Sequence, residues 1–118
     1  MMKKVLVTGA TGFLGKYVIE ELVEHGYQVR AFGRNSKVGR SLENSSISFF
    51  QGDLTKADDV LEACKGMDLV VHAGALSTVW GPWEDFYRAN VLGTKYVLEA
   101  CRQTGIKCLV YVSSPSIY

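Results

Sequence analysis

The stretch Val7-Thr8-Gly9-Ala10-Thr11-Gly12-Phe13-Leu14-Gly15 constrains this chain more than any other. It follows a short apolar run, Lys4–Thr8, and leads into a segment of helical spacing, so its three glycines fall on a strand-to-helix turn. Gly9 can take the backbone angles of a tight turn. Gly12 has no side chain to keep a pyrophosphate from the amides at the helix N-terminus, where the dipole favours negative charge. Gly15 lets the helix lie close to the strand. A turn that binds nothing needs only one glycine. Three at this spacing and in this context imply a phosphate-bearing ligand held along Thr11, Gly12, Phe13 and Leu14.

The rest of the chain alternates two element types, without internal repeat or low-complexity linker. Apolar runs at Lys4–Thr8, Gln28–Phe32, Ile47–Gln51, Leu69–His72 and Lys107–Ser113 are nearly continuous, as strands covered on both faces read. Between them, Leu14, Val18, Leu22 and Val23 form one helical face opposite Glu20, Glu21 and Glu24, and Gly26 ends the helix. Thr55 with Asp58 three residues on gives a capping-box start. Pro82, followed by Glu84 and Asp85, opens a helix running to about Gln103, with Phe86, Val91, Leu98 and Cys101 as expected core contacts. The polar segment Asn35–Ser46 reads as a loop that could hold a helical turn near Lys37–Leu42. Such alternation predicts one α/β domain over residues 1–118, with a parallel sheet of about five strands in the order 3-2-1-4-5, half of a doubly wound fold.

Composition narrows the class of partner. The chain is 47% hydrophobic and 21% charged with a net charge of +1, so neither nucleic acid nor an acidic membrane would meet a concentrated positive field. The basic residues are scattered except for Arg30, Arg34, Lys37 and Arg40. No stretch is apolar for long enough to span a membrane, and Met1–Lys4 leads directly into the first strand without room for a signal peptide, so a cytoplasmic protein is expected. The three cysteines, Cys64, Cys101 and Cys108, contain no CxxC pair. They fit a reducing compartment and read as small packing residues, with no disulfide framework and no metal site.

The glycine spacing is G-x-x-G-x-x-G, and with it the whole chain resembles the short-chain dehydrogenase/reductase superfamily. Within that superfamily it is similar to the extended branch of nucleotide-sugar epimerases, dehydratases and 3β-hydroxysteroid dehydrogenase-like enzymes. The resemblance implies a Rossmann-type fold and a nicotinamide dinucleotide. An NAD site usually has an acidic residue at the end of the second strand, on the adenine ribose hydroxyls. Here Gly33 and Arg34 stand there, leaving room for a 2′-phosphate and a guanidinium to bind it, with Asn35 and Lys37 as further donors. The expected cofactor is therefore NADP in preference to NAD. A solvated basic loop is the alternative.

Other motifs match the same family. Gly52-Asp53-Leu54 closes the third strand; the resemblance gives Asp53 to the adenine amino group and Leu54 to backbone support of the ring, while an Asp capping a turn remains compatible. Small residues at Ala73, Gly74 and Ala75 keep bulk away from the ribose and phosphates. His72 before them reads as a packed or hydrogen-bonded strand-end residue rather than a general base. Asn90 and Gly93 oppose helix propensity inside the long helix. The family places the Asn facing the cofactor cleft, and Gly93 would permit close packing of helix on sheet. In Val112-Ser113-Ser114-Pro115-Ser116-Ile117-Tyr118 the match puts Ser114 at the catalytic Ser/Thr, with Ser113 ranked second; serines are also common turn residues.

The family completes its site with a Tyr and a Lys four residues later, the cation lowering the Tyr pKa for proton exchange. Four residues after Tyr17, Tyr27, Tyr87, Tyr96 and Tyr111 stand Glu21, Ala31, Val91, Ala100 and Pro115. The pair and the substrate lobe are thus expected beyond Tyr118, and the chain reads as an incomplete, inactive piece of a longer enzyme. That enzyme would transfer hydride to or from a hydroxyl or carbonyl of a small-molecule substrate. The alternative is a regulatory protein that senses the dinucleotide without turnover. Ala75–Trp83 and the Ser-Pro-Ser-Ile-Tyr ending look more 3β-hydroxysteroid dehydrogenase-like than epimerase-like. Trp80 and Trp83 could line an apolar pocket or pack beneath a lid loop. An uncovered fifth-strand edge, or the helices, would favour self-association.

Overall fold

The computed structural model describes residues 3–9, 13–73 and 83–112. Strands β1 (Lys4–Thr8), β2 (Gln28–Gly33), β3 (Ile47–Gln51), β4 (Leu69–Ala73) and β5 (Leu109–Val112) alternate with helices α1 (Phe13–Glu24), α2 (Ser36–Leu42), α3 (Ala57–Cys64) and α4 (Trp83–Thr104). Among the described residues the strands form one parallel sheet in the order β3-β2-β1-β4-β5. This is the Rossmann-type α/β order expected from the alternation.

Both sheet faces are buried, which is why the strands carry continuous Val, Leu and Ile. Side chains alternate across the sheet with period two. Val5, Val7, Val29, Ala31 and Val71 form one face, packed against Ile19 of α1 with Val18, Leu22, Val23 and, from α2, Leu42. Leu6, Phe32 and Val70 form the other, packed against Val60, Ala63 and Cys64 of α3 and Val97, Ala100 and Cys101 of α4. Each fully buried aliphatic side chain contributes about 1.5–3 kcal/mol relative to exposure, which outweighs local propensity.

Several local expectations are corrected. On α4 the buried stripe is Gly93, Val97, Ala100 and Cys101, while Leu98 is 54% exposed. Leu98 lies one helical step round from Val97 and cannot share its face. Phe86 and Val91 fall outside the described side chains. Ile19, fully buried, is a contact of α1 that the apolar spacing left out. Cys64 and Cys101 are buried but Cys108, just before β5, is exposed. Within Asn35–Ser46 the turn expected near Lys37–Leu42 is a full helix, α2. Asn35 caps it, its side-chain oxygen accepting from the amides of Lys37 (3.1 Å) and Val38 (3.2 Å). Thr55 does not cap α3. The N-cap is Lys56 without a side-chain bond, because the Thr55 hydroxyl donates instead to Asp53.

Candidate functional site

Strand register gathers the candidate residues along one edge. Thr8 is opposite Phe32 on β2 and His72 on β4, Gly33 is opposite Gln51 on β3, and Ala73 is opposite Val112 on β5. Gly9, Arg34, Asp53 and Ala73 therefore all lie at the C-terminal edge, where open α/β sheets bind ligands. The strand order reverses between β1 and β4, and the crevice of such folds opens at that switch point.

Gly9 turns away from β1 with φ of +68°, the left-handed conformation that glycine adopts without strain. Thr11 and Gly12 lie outside the described residues. Phe13 and Leu14 begin α1, so the helix starts where the glycine turn requires. Gly33 ends β2 and is buried, and its carbonyl accepts from the Gly52 amide at 2.9 Å. Arg34 follows it into solvent, and its carbonyl accepts from Gln51 Nε2 at 3.4 Å. The basic cluster is smaller than it reads in sequence. Arg30 donates to the carbonyls of Ala63 (2.8 Å) and Lys65 (3.0 Å) at the end of α3, and Arg40 pairs with Glu43 at 3.9 Å. Arg34 and Lys37 remain exposed near the strand ends.

Asp53 is half-buried, and its Oδ1 accepts from the Thr55 amide (2.8 Å) and hydroxyl (2.7 Å). The amide bond, the hydroxyl and the nearby cations Arg34 and Lys56 together overcome burial and hold the carboxyl below the usual range. It is an ionised acceptor close enough to Arg34 to feel its charge. The Asp53 amide in turn donates to Asp59 Oδ2 at 3.0 Å, which fixes the loop after β3. Leu54 meets α4: a Cβ on Gly93 would stand 3.1 Å from Leu54 Cβ. Gly93 thus permits close approach of the helix to this loop, rather than to the sheet as the sequence suggests.

His72 is buried and bridged. Its Nδ1 is 2.5 Å from Thr8 Oγ1, and its Nε2 is 3.1 Å from Thr94 Oγ1. Burial lowers its pKa to about 4, so the ring is neutral at physiological pH. A neutral imidazole has one donor and one acceptor nitrogen, so one threonine accepts while the other donates. The hydrogen-bonded strand-end reading of His72 agrees with this geometry. Thr8 and Thr94 went unnoticed in the sequence; the available signal was a polar pair, Thr8 and His72, at the ends of otherwise apolar strands.

Ala73 closes β4 and Asn90 lies within α4, while Gly74, Ala75, Ser113 and Ser114 lie outside the described residues. Among the described residues there is no cluster of His, Cys, Asp or Glu able to hold a metal, and no helix long and apolar enough to cross a membrane.

The NAD dependent epimerase/dehydratase family model matches residues 5–118. The chain belongs to this family. It is 44% identical over 97% of its length to 2-alkyl-3-oxoalkanoate reductase of Stenotrophomonas maltophilia, covering 34% of that protein. It is 38% identical over 98% of its length to the decarboxylating sterol-4-alpha-carboxylate 3-dehydrogenase of Mus musculus, covering 31% of it. Among solved structures, a mutant of uronate dehydrogenase from Agrobacterium tumefaciens complexed with NAD superposes with a TM-score of 0.79 at 31% identity, over 97% of this chain and 42% of that one. The chain spans about a third of the length of the curated relatives it matches.

Proposed function

We propose that residues 1–118 form the dinucleotide-binding part of an NAD(P)-dependent oxidoreductase or epimerase/dehydratase that uses NADP in preference to NAD. The observation carrying this is the convergence of Gly9, Arg34 and Asp53 on one sheet edge, with a glycine, Gly33, where an NAD site usually has a carboxylate. The described residues fit the cofactor. The turn at Gly9 and the start of α1 would hold the pyrophosphate, with Thr11, Gly12, Phe13 and Leu14 along it. Asp53 would accept from the adenine amino group, the Leu54 backbone would support the ring, and the Arg34 guanidinium, with Asn35 beside it, would bind a 2′-phosphate.

Ala73, Gly74 and Ala75 would leave room for the ribose, and Asn90 would face the cleft from α4. When bound, the dinucleotide supplies or accepts hydride. Ser114 would hydrogen-bond the substrate oxygen and hold it for that transfer. The relatives named for a 3-oxoalkanoate and for a sterol-carboxylate support a substrate whose reacting group is a hydroxyl or carbonyl. The chain alone would be inactive, and its exposed β5 edge would support self-association.

Calorimetric titration with NADP and NAD tests the reading. NADP should bind at least about ten-fold tighter, a difference of about 1.4 kcal/mol. Arg34→Ala should remove that preference and leave NAD binding nearly unchanged. Equal or stronger binding of NAD by the unmodified protein would overturn the roles given to Gly33 and Arg34.

A further inference from the structure

Thr8 and His72 are the buried polar residues among the otherwise apolar buried positions described, and no buried side-chain polar atom in the described residues lacks a partner. Their position matters more than their number. They are register partners on β1 and β4, the strands on either side of the point where the order reverses. Thr8 is followed at once by Gly9, from which the glycine turn departs, and His72 by Ala73, the first of the small residues. The third member, Thr94, belongs to α4 and follows Asn90 by one helical turn.

A Val or Leu in place of each would fill the same space, and a net hydrogen bond contributes only about 1 kcal/mol, so stability alone does not call for this bridge. Directional bonds do what apolar contact cannot: they fix lateral position. Gly93 already lets α4 approach the Leu54 loop closely. The adjacent Thr94 then sets where along β4 the helix sits.

We propose that His72 is a positioning residue of the dinucleotide site, tying the strand end that launches the glycine turn to the helix that carries Asn90. The proposal rests on the dinucleotide reading given above. Through Thr8 the ring holds the β1 end, and through Thr94 it holds α4, so the two sides of the crevice move together. The bridge stays uncharged because the ring is buried, and its neighbours Thr8 and Thr94 are neutral.

Dinucleotide affinity and thermal stability, measured in parallel on the protein and its variants, test this. His72→Leu should weaken binding by about ten-fold or more, and Thr8→Val and Thr94→Val by several-fold each. In the His72→Leu background, Thr94→Val should weaken binding no further, because both changes break the same bridge. Thr94→Ser, which keeps the hydroxyl, should restore the affinity that Thr94→Val loses. Should His72→Leu fail to fold, the contrast between Thr94→Val and Thr94→Ser tests the bridge from the helix side. Folded variants with a lowered melting temperature but unchanged affinity would overturn the positioning role and leave the cofactor reading intact. Failure of the unmodified protein to bind either dinucleotide would instead overturn the cofactor reading, and the proposal with it.

Discussion

At the scale of the residue, His72 also makes stability depend on pH. Its folded pKa, about 4, lies below the ordinary value of 6.5, so the unfolded chain takes up a proton that the folded chain refuses. Its contribution is fully present above pH 6.5, is lost as pH falls, and levels off below about 4. The span is about 3 kcal/mol. Denaturant unfolding at pH 7.5 and pH 5 should show a clear loss, and His72→Leu should flatten it. Glu99 is held at about 2 by Arg102 and Gln103, and Asp53 is held low first by the Thr55 amide, so both act only in a more acidic range. The thiols nearby take no part, since burial pushes Cys64 up to about 12 and raises Cys101 as well.

Elements are held in place by a few close approaches. Gly52, between β3 and the Asp53 loop, leaves no room for a methyl group: a Cβ there would stand 2.5 Å from the fully buried ring of Phe32 and 3.3 Å from Asp59 Cβ. Phe32 is also stacked on Phe50, with centroids 5.8 Å apart, and cannot swing aside. Gly52→Ala should therefore cost about 1–3 kcal/mol, read as a lower denaturant midpoint. Arg30 performs the opposite service for α3, donating to two carbonyls at its C-terminal end. Arg30→Met should destabilise the fold by about 1–3 kcal/mol without changing dinucleotide affinity, because the guanidinium faces α3 and not the site. A drop in affinity would show that Arg30 also acts on the dinucleotide site.

For the whole molecule, the strand to test for association is β5, the last in the sheet among the described residues. Val110 is 44% exposed on the last strand in the sheet order, on the same face as its register partner Val71, and Leu98 is exposed on α4. An edge with unpaired backbone groups and an apolar side chain favours association. Sedimentation velocity of the 118-residue chain should show concentration-dependent self-association. Val110→Lys should shift the distribution towards monomer, whereas an unchanged distribution would place the contact elsewhere.

The fold was legible because its signals are local and repeated: five apolar runs, helical spacing between them, and glycines where the first strand must turn. Asp53 and Arg34 could be placed from strand ends alone, since register in a parallel sheet brings successive C-termini to one edge. Periodicity failed where a single helical step decides the outcome, as with Leu98 against Val97, and where one side chain had rival partners, as with Thr55. The sequence by itself determined the α/β alternation, because it follows from hydrophobic period, while the sheet order and the edge of the site were expected from the doubly wound fold that such alternation resembles. Only the tertiary structure decided that Arg30 caps α3, that Gly93 meets Leu54, and that Thr8, His72 and Thr94 form one bridge. Those contacts join residues far apart in the chain, and no local pattern specifies the distance between them.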